Sequence, residues 1–315
     1  MENRPIEARP LSEDSARIAD LGARIAALAN RYSLEVSSRS ARDLDACRTH
    51  LEKGSDVYIN FIAGDDLAAK VRCAAALRAS GFRPVPHIGA RHLKSAARLD
   101  DLLARLAGEA GVDRALLIAG DASQPAGPFE SSLAVLATGF LAKHGFRAAG
   151  FAGYPEGHPQ IPESALGQAL AAKLKLAAAQ GIEPFLVTQF CFEPGAVTAW
   201  LAALRGNGIA VPVRIGLAGP ANVATLVRFA IRCGVANSIR ALTSRPDRFM
   251  RLVSDSAPDG LIRGIAEGTA PALFEGVAGL HFFPFGGVAK TARWANAVRR
   301  GRFRLAPGGG IDVEM

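Results

Sequence analysis

Residues 184–217 read PFLVTQFCFEPGAVTAWLAALRGNGIAVPVRIGL. Two short apolar runs, 184–190 and 211–217, enclose an Ala/Leu-rich amphipathic segment. Runs that are apolar at successive positions suit parallel strands covered on both faces, and the segment between them is long enough for a crossover helix. The same unit recurs along the chain, with candidate strands at 32–37, 56–63, 84–90, 114–120, 147–153, 184–190, 211–217 and 279–285. Eight such strands joined by right-handed crossovers predict a closed (β/α)8 TIM barrel. An open doubly wound sheet is the competing arrangement. It would place GxGxxG after its first strand; no such motif follows residue 37, and Gly or polar residues recur after nearly every strand end.

The spacing also predicts decorations on one barrel domain over 1–315. A helical extension fills residues 1–30, its helix starting near Ser12 as a candidate N-cap. A helical insertion at 236–275 precedes the eighth strand and offers surface for a homo-oligomer. The tail 305–315 reads as loose. With 315 residues, 49% of them hydrophobic, the chain can bury a core of barrel size.

Composition excludes several classes. No apolar run reaches the roughly 18 residues of a membrane span, and the charged start MENRPIEARP lacks a signal peptide's apolar region, so a cytoplasmic protein is expected with no membrane partner. The cysteines, Cys47, Cys73, Cys191 and Cys233, lack CxxC spacing or nearby His clusters, which predicts reduced, mostly buried thiols and no metal site. The net charge of +8 is spread over helical segments without interleaved aromatics, which argues against nucleic acid and suits an anionic cofactor or polyglutamylated substrate at a basic mouth.

In a barrel, functional side chains gather at the C-terminal strand ends. The polar residues predicted there are Glu35, Asn60, His87, Asp121, Tyr154, Glu156, His158 and Gln189. A carboxylate inside the apolar run YSLEV is costly unless paired or functional, which makes Glu35 a candidate general acid. Each residue also has a structural reading: Glu35 paired with a buried Arg in the barrel, Asp121 capping the helix that follows, His87 a satisfied core histidine. Gln189 resists that reading, since a buried amide needs up to four hydrogen-bond partners. GxSxG, P-loop and HExxH motifs are absent, so acyl transfer, phosphoryl transfer and zinc hydrolysis lack support. One acid, one Asp, one amide and aromatics suit an organic cofactor that carries the redox chemistry.

These residues fall within an ordered set of motifs between about Tyr32 and Val298: SLE, PHIGAR, AGD, AGYPEGHP, KLKLAAAQG, VTQFCFE and LHFFPF. In that order they resemble the methylenetetrahydrofolate reductases, FAD-dependent (β/α)8 barrels. The resemblance implies reduction of 5,10-methylenetetrahydrofolate to 5-methyltetrahydrofolate with NAD(P)H, or the reverse reaction in methyl catabolism. It assigns Glu35 to protonating the bridging nitrogen of the folate, Asp121 to stabilising the iminium cation, and Gln189 to holding folate or nicotinamide. It places Asn60, His87, Ala119, Gly120, Asp121, Phe129, Tyr154, His158 and Lys175 around FAD. The chain also departs from the family pattern. Val36, Ser37, Ser38 and Arg39 replace the usual aromatics and prolines, Ala119 replaces an Arg, Asn60 a Thr, and Ala171 and Leu174 an Asn and an Arg. Those changes predict fewer polar contacts to FAD. They keep open a flavin-free, folate-dependent methyl-transfer protein and a non-catalytic folate- or flavin-binding subunit.

Overall fold

The computed structural model describes residues 13–61, 64, 66–233, 257–274 and 276–315. Eight parallel strands close into a barrel in chain order: β1 (Ser33–Val36), β2 (Asp56–Ile59), β3 (Arg83–Gly89), β4 (Arg114–Ile118), β5 (Ala148–Gly153), β6 (Glu183–Thr188), β7 (Val213–Ala218) and β8 (Val277–Phe283). Closure is made by β1 pairing with β8, Ser33 opposite His281 and Leu34 opposite Phe282. The (β/α)8 expectation therefore holds.

Alternation along the strands explains the continuous apolar runs. Leu34, Val36, Val57, Ile59, Leu117, Leu186 and Phe282 pack in the layer between strands and helices. Their neighbours Tyr58, Val85, Leu116 and Val187 form a second cluster, which fills the barrel interior. The bottom of the barrel is closed by charge: Asp56 at the start of β2 is 5% exposed and lies 2.8 Å from Arg83 and 2.7 Å from Arg214.

Helices α1 (Glu13–Asn30), α2 (Ala41–His50), α3 (Leu67–Ala79), α4 (Ala96–Ala110), α5 (Ser132–Ala137), α6 (Phe140–Lys143), α7 (Glu163–Ala179), α8 (Pro194–Gly206) and α9 (Val223–Arg232) follow in order. Several start on side-chain caps, among them Ser40 on α2, Asp66 on α3, Ser95 on α4 and Asn222 on α9. The extension is helical as α1, which packs against β8 and the last helix, Val288–Arg299. Ser12 lies outside the described residues. Of the insertion, helices Asp259–Gly268 and Pro271–Phe274 are described, and 236–256 lie outside the described residues.

One expectation is corrected. The tail is not loose: Phe303–Leu305 and Ile311–Val313 pair antiparallel, Ile311 is 3% exposed, and the Arg263 guanidinium donates to the carbonyls of Ala306 and Gly310. Its glycines made it read as a linker, whereas they form the turn of this hairpin. Of the thiols, Cys47 and Cys191 are buried, Cys73 is partly buried and Cys233 is exposed. Among the described residues no helix is long and apolar enough to cross a membrane.

Candidate functional site

The C-terminal mouth is organised around Glu35, the third residue of β1, which is 9% exposed. Its Oε1 lies 3.4 Å from Nε2 of His281 on β8 and 3.6 Å from Nε2 of His87 on β3. Tyr58 on β2 wedges beneath, its ring edge-on to His281 at 4.4 Å and to His87 at 5.9 Å. Ser33, paired in register with His281, sets its Oγ 3.0 Å from His281 Nδ1 and donates to the Leu280 carbonyl at 3.3 Å.

Burial dominates the electrostatics. Desolvation pushes the Glu35 carboxyl above its ordinary range, with His87 and Lys70 opposing it. Desolvation also pulls His87 down to about 4, against the pull of Glu35, and His281 down to about 3. Both imidazoles are therefore neutral near pH 7, and neither supplies Glu35 with a counter-charge. The cation of this cluster is Lys70, in the first turn of α3 and 1% exposed, whose Nζ donates to the carbonyls of His87 at 2.9 Å and Asn60 at 3.3 Å. A protonatable acid between neutral imidazoles fits proton donation.

Beside this cluster a cavity of about 350 Å³ is lined by Phe61, Lys70, His87, His92, Lys94 and Arg98. Nε2 of His87, a residue that lines the cavity, is buried without a hydrogen-bond partner, and so is Oδ1 of Asn60, directly after β2. Buried polar atoms are nearly always satisfied, so such a pair marks where a bound polar molecule would complete the site.

The loop after β4 carries Ala119, Gly120 and Asp121. The Ala119 carbonyl accepts from the Arg91 N–H at 2.9 Å, and the Arg91 guanidinium donates to the carbonyls of Ala122 and Glu130. Gly120 takes φ +90°, and a Cβ there would sit 2.8 Å from the His92 ring. The turn presents Asp121, whose side chain is 64% exposed and lies 2.9 Å from His92 Nε2. Asp121 is thus a rim carboxylate held by a histidine and does not cap a helix.

After β5, Tyr154 and His158 meet edge-on at 5.1 Å. His158 Nδ1 accepts from the Gln160 N–H at 3.2 Å. Glu156 fixes the entry to α8, its Oε1 accepting from the N–H groups of Phe192 at 2.5 Å and Glu193 at 2.8 Å. Gln189 follows directly after β6 and is partly buried, its Oε1 accepting from the Phe190 N–H at 3.0 Å. Half of its amide is therefore explained locally.

Glu35, His87 and Asn60 thus come together, and Asp121, Tyr154, His158 and Gln189 stand on the loops around them. Two predicted positions lie apart. Phe129 is 4% exposed and packs in the layer between strands and helices, and Lys175 is exposed on α7. The lysine turned inward is Lys173, 5.7 Å over the Phe151 ring, with its ammonium pKa lowered by burial. The sequence reading missed His281, Ser33 and Lys70. The signal for His281 was a polar residue inside the apolar run LHFF of β8, the same signal that singled out Glu35. Among the described residues no group of three or more His, Cys, Asp or Glu side chains is placed to hold a metal ion.

No protein-family model matches the chain. Among solved structures, it is similar to a GH18 chitinase from Pseudoalteromonas aurantia, 12% identical over 86% of this chain and 99% of that one, with a TM-score of 0.50. A dihydropteroate synthase from Thermus thermophilus is 14% identical over 84% of this chain and 92% of that one, with a TM-score of 0.47. The likeness to the chitinase is one of fold.

Proposed function

We propose that the protein is an oxidoreductase of the methylenetetrahydrofolate reductase type, converting 5,10-methylenetetrahydrofolate to 5-methyltetrahydrofolate with NAD(P)H through FAD. The observation that carries this reading is Glu35: a carboxyl kept protonatable by burial at the barrel mouth, between two neutral imidazoles. Opening the imidazolidine ring of the folate requires a proton at a ring nitrogen, and an acid works best with its pKa near the working pH. Glu35 supplies that proton. Asp121, held at the rim by His92 with its side chain largely exposed, stabilises the cation that develops as the ring opens. The free side of the Gln189 amide orients the folate or nicotinamide. Run in reverse, the same carboxylate would act as the base.

FAD, when bound, would supply the hydride. Asn60, His87, Gly120, Tyr154 and His158 are the residues that would hold it, and the two partnerless atoms Asn60 Oδ1 and His87 Nε2 are suited to its polar groups. The decisive experiment is an absorption spectrum after incubation with FAD and desalting. A yellow protein whose flavin NAD(P)H bleaches and methylenetetrahydrofolate restores supports the proposal; a colourless protein without measurable FAD affinity overturns it. The positions of Lys175 and Phe129 favour a second reading, a flavin-free, folate-dependent methyl-transfer protein. It predicts no colour but binding of 5-methyltetrahydrofolate.

A further inference from the structure

We infer that the bottom of the barrel carries a second binding site, a basic cavity for a small anion of the diphosphate class. It lies at the opposite end of the strands from Glu35 and does not rest on the proposed function.

The cavity, about 460 Å³, opens where β1, β2, β3, β7 and β8 begin and where α1 and the last helix end. That volume is in the range of small-molecule pockets. Five cations, Arg31, Lys53, Arg83, Arg214 and Arg299, line it against two carboxylates, Glu52 and Asp56, an excess of three positive charges. Closing the barrel end needs fewer. Asp56 is bound by Arg83 at 2.8 Å and Arg214 at 2.7 Å, and Glu52 is bound by Arg299. Among the described residues Arg31 and Lys53 are not ion-paired. Lys53 donates from Nζ to the Ser80 carbonyl at 2.6 Å, which leaves two of its three hydrogens, and the Arg31 side chain is exposed.

The buried cations of the cavity are already held in place. Arg214 is fixed by Asp56 and by the Arg31 carbonyl at 2.6 Å, and Arg299 by Glu52 and by Asn296 Oδ1 at 2.8 Å. Little side-chain freedom is therefore lost when a ligand arrives. Arg83 reaches Asp56 through Nε, and its half-exposed guanidinium keeps the terminal nitrogens for an oxyanion. Arg299, hydrogen-bonded to Glu52, holds that carboxyl below its ordinary range, and Arg300 adds to the pull. A concave lining of one dominant sign concentrates counter-ions.

Guanidinium forks match phosphate and carboxylate oxygens alike. The excess of charge selects between them: two linked phosphoryl groups carry about three negative charges near neutral pH within one small ion, whereas a polycarboxylate spreads its charge over a carbon frame. A nucleotide fits less well, because the cavity offers a base no open ring. Tyr32 is 9% exposed and packs edge-on against Phe282, and Phe82, under Lys53, is 1% exposed.

Titration calorimetry of inorganic pyrophosphate into the full chain, in phosphate-free buffer, should show one saturable site per chain that weakens as salt is raised. Arg31→Gln and Lys53→Gln, both exposed and outside the Asp56 pairing, should keep the wild-type melting temperature and each weaken binding by about tenfold or more. Lys53→Arg should stay within a few-fold of wild type. Arg105→Gln removes an ion-paired charge on α4 and should leave binding unchanged. Absence of saturable binding would overturn the inference. So would wild-type affinity in both Gln variants of the cavity, which would place the anion elsewhere, at the mouth for example, or an equal loss in Arg105→Gln, which would reduce the effect to net charge. Citrate binding as tightly as pyrophosphate would overturn the assignment to diphosphate.

Discussion

Glu35 and Asp121 are both carboxylates of the mouth, but their surroundings assign them different roles. Glu35 is desolvated and protonatable, whereas Asp121 is exposed and held against His92. The two half-reactions of a flavoenzyme separate these roles. Glu35→Gln keeps shape but cannot act as an acid, so flavin reduction by NAD(P)H should stay within a few-fold of wild type. Reoxidation by methylenetetrahydrofolate should fall by roughly 10²–10⁴, followed in a stopped-flow experiment. Equal slowing of both steps would point to disturbed packing on β1. Asp121→Asn should slow only the folate step, on the order of tenfold or more, because an amide cannot stabilise a developing cation. If the variant instead loses flavin while each bound flavin turns over normally, the His92 contact is what Asp121 is for. Glu35 was legible from sequence because a carboxylate interrupted an apolar strand. His281 gave the same signal but was read as part of a motif, and its partnership with Glu35 depends on β1 meeting β8 across the barrel closure. Lys70 was illegible for another reason: it lies on a helix, where a lysine is ordinarily solvated.

At the scale of elements, strand positions were readable because strands covered on both faces are apolar at every residue, and the observed limits shift by only a few residues. The error with consequences was at strand ends. β6 stops at Thr188, which puts Gln189 on the connection to α8 instead of on the strand. That connection is held by Glu156 from the preceding loop, through two charge-assisted hydrogen bonds to backbone N–H groups. Glu156→Ala leaves those partly buried donors unmatched and should cost about 1–3 kcal/mol in urea unfolding. It should also raise the KM for folate with little change in flavin reduction if Gln189, on that loop, orients the folate as proposed. A variant as stable as wild type would show that water satisfies the donors and that the loop holds itself.

For the whole molecule, the groups that make the site are also its pH-sensitive weakness. His87 and His281 titrate at about 4 and about 3 in the folded protein, against about 6.5 when unfolded. Between these values the unfolded chain binds more protons, so their contribution is present above pH 6.5 and is lost as pH falls toward 4. Glu35 has the opposite sign. Its folded pKa is raised, so the folded protein holds the extra proton, and its contribution is present at low pH and lost as pH rises through the folded value. Each group contributes a slope of up to about 1.4 kcal/mol per pH unit within its window. Urea unfolding across pH 4–8 should therefore separate them in opposite directions. His281→Gln removes one proton taken up on unfolding and should flatten the acid limb by up to that slope. Glu35→Gln removes the penalty of ionising a buried acid and should gain stability relative to wild type as pH rises from 4.5, a gain bought at the expense of the folate half-reaction. If Glu35→Gln instead loses stability relative to wild type as pH rises, Glu35 is an ionised partner of Lys70 in the folded protein. The acid chemistry assigned to it would then fail.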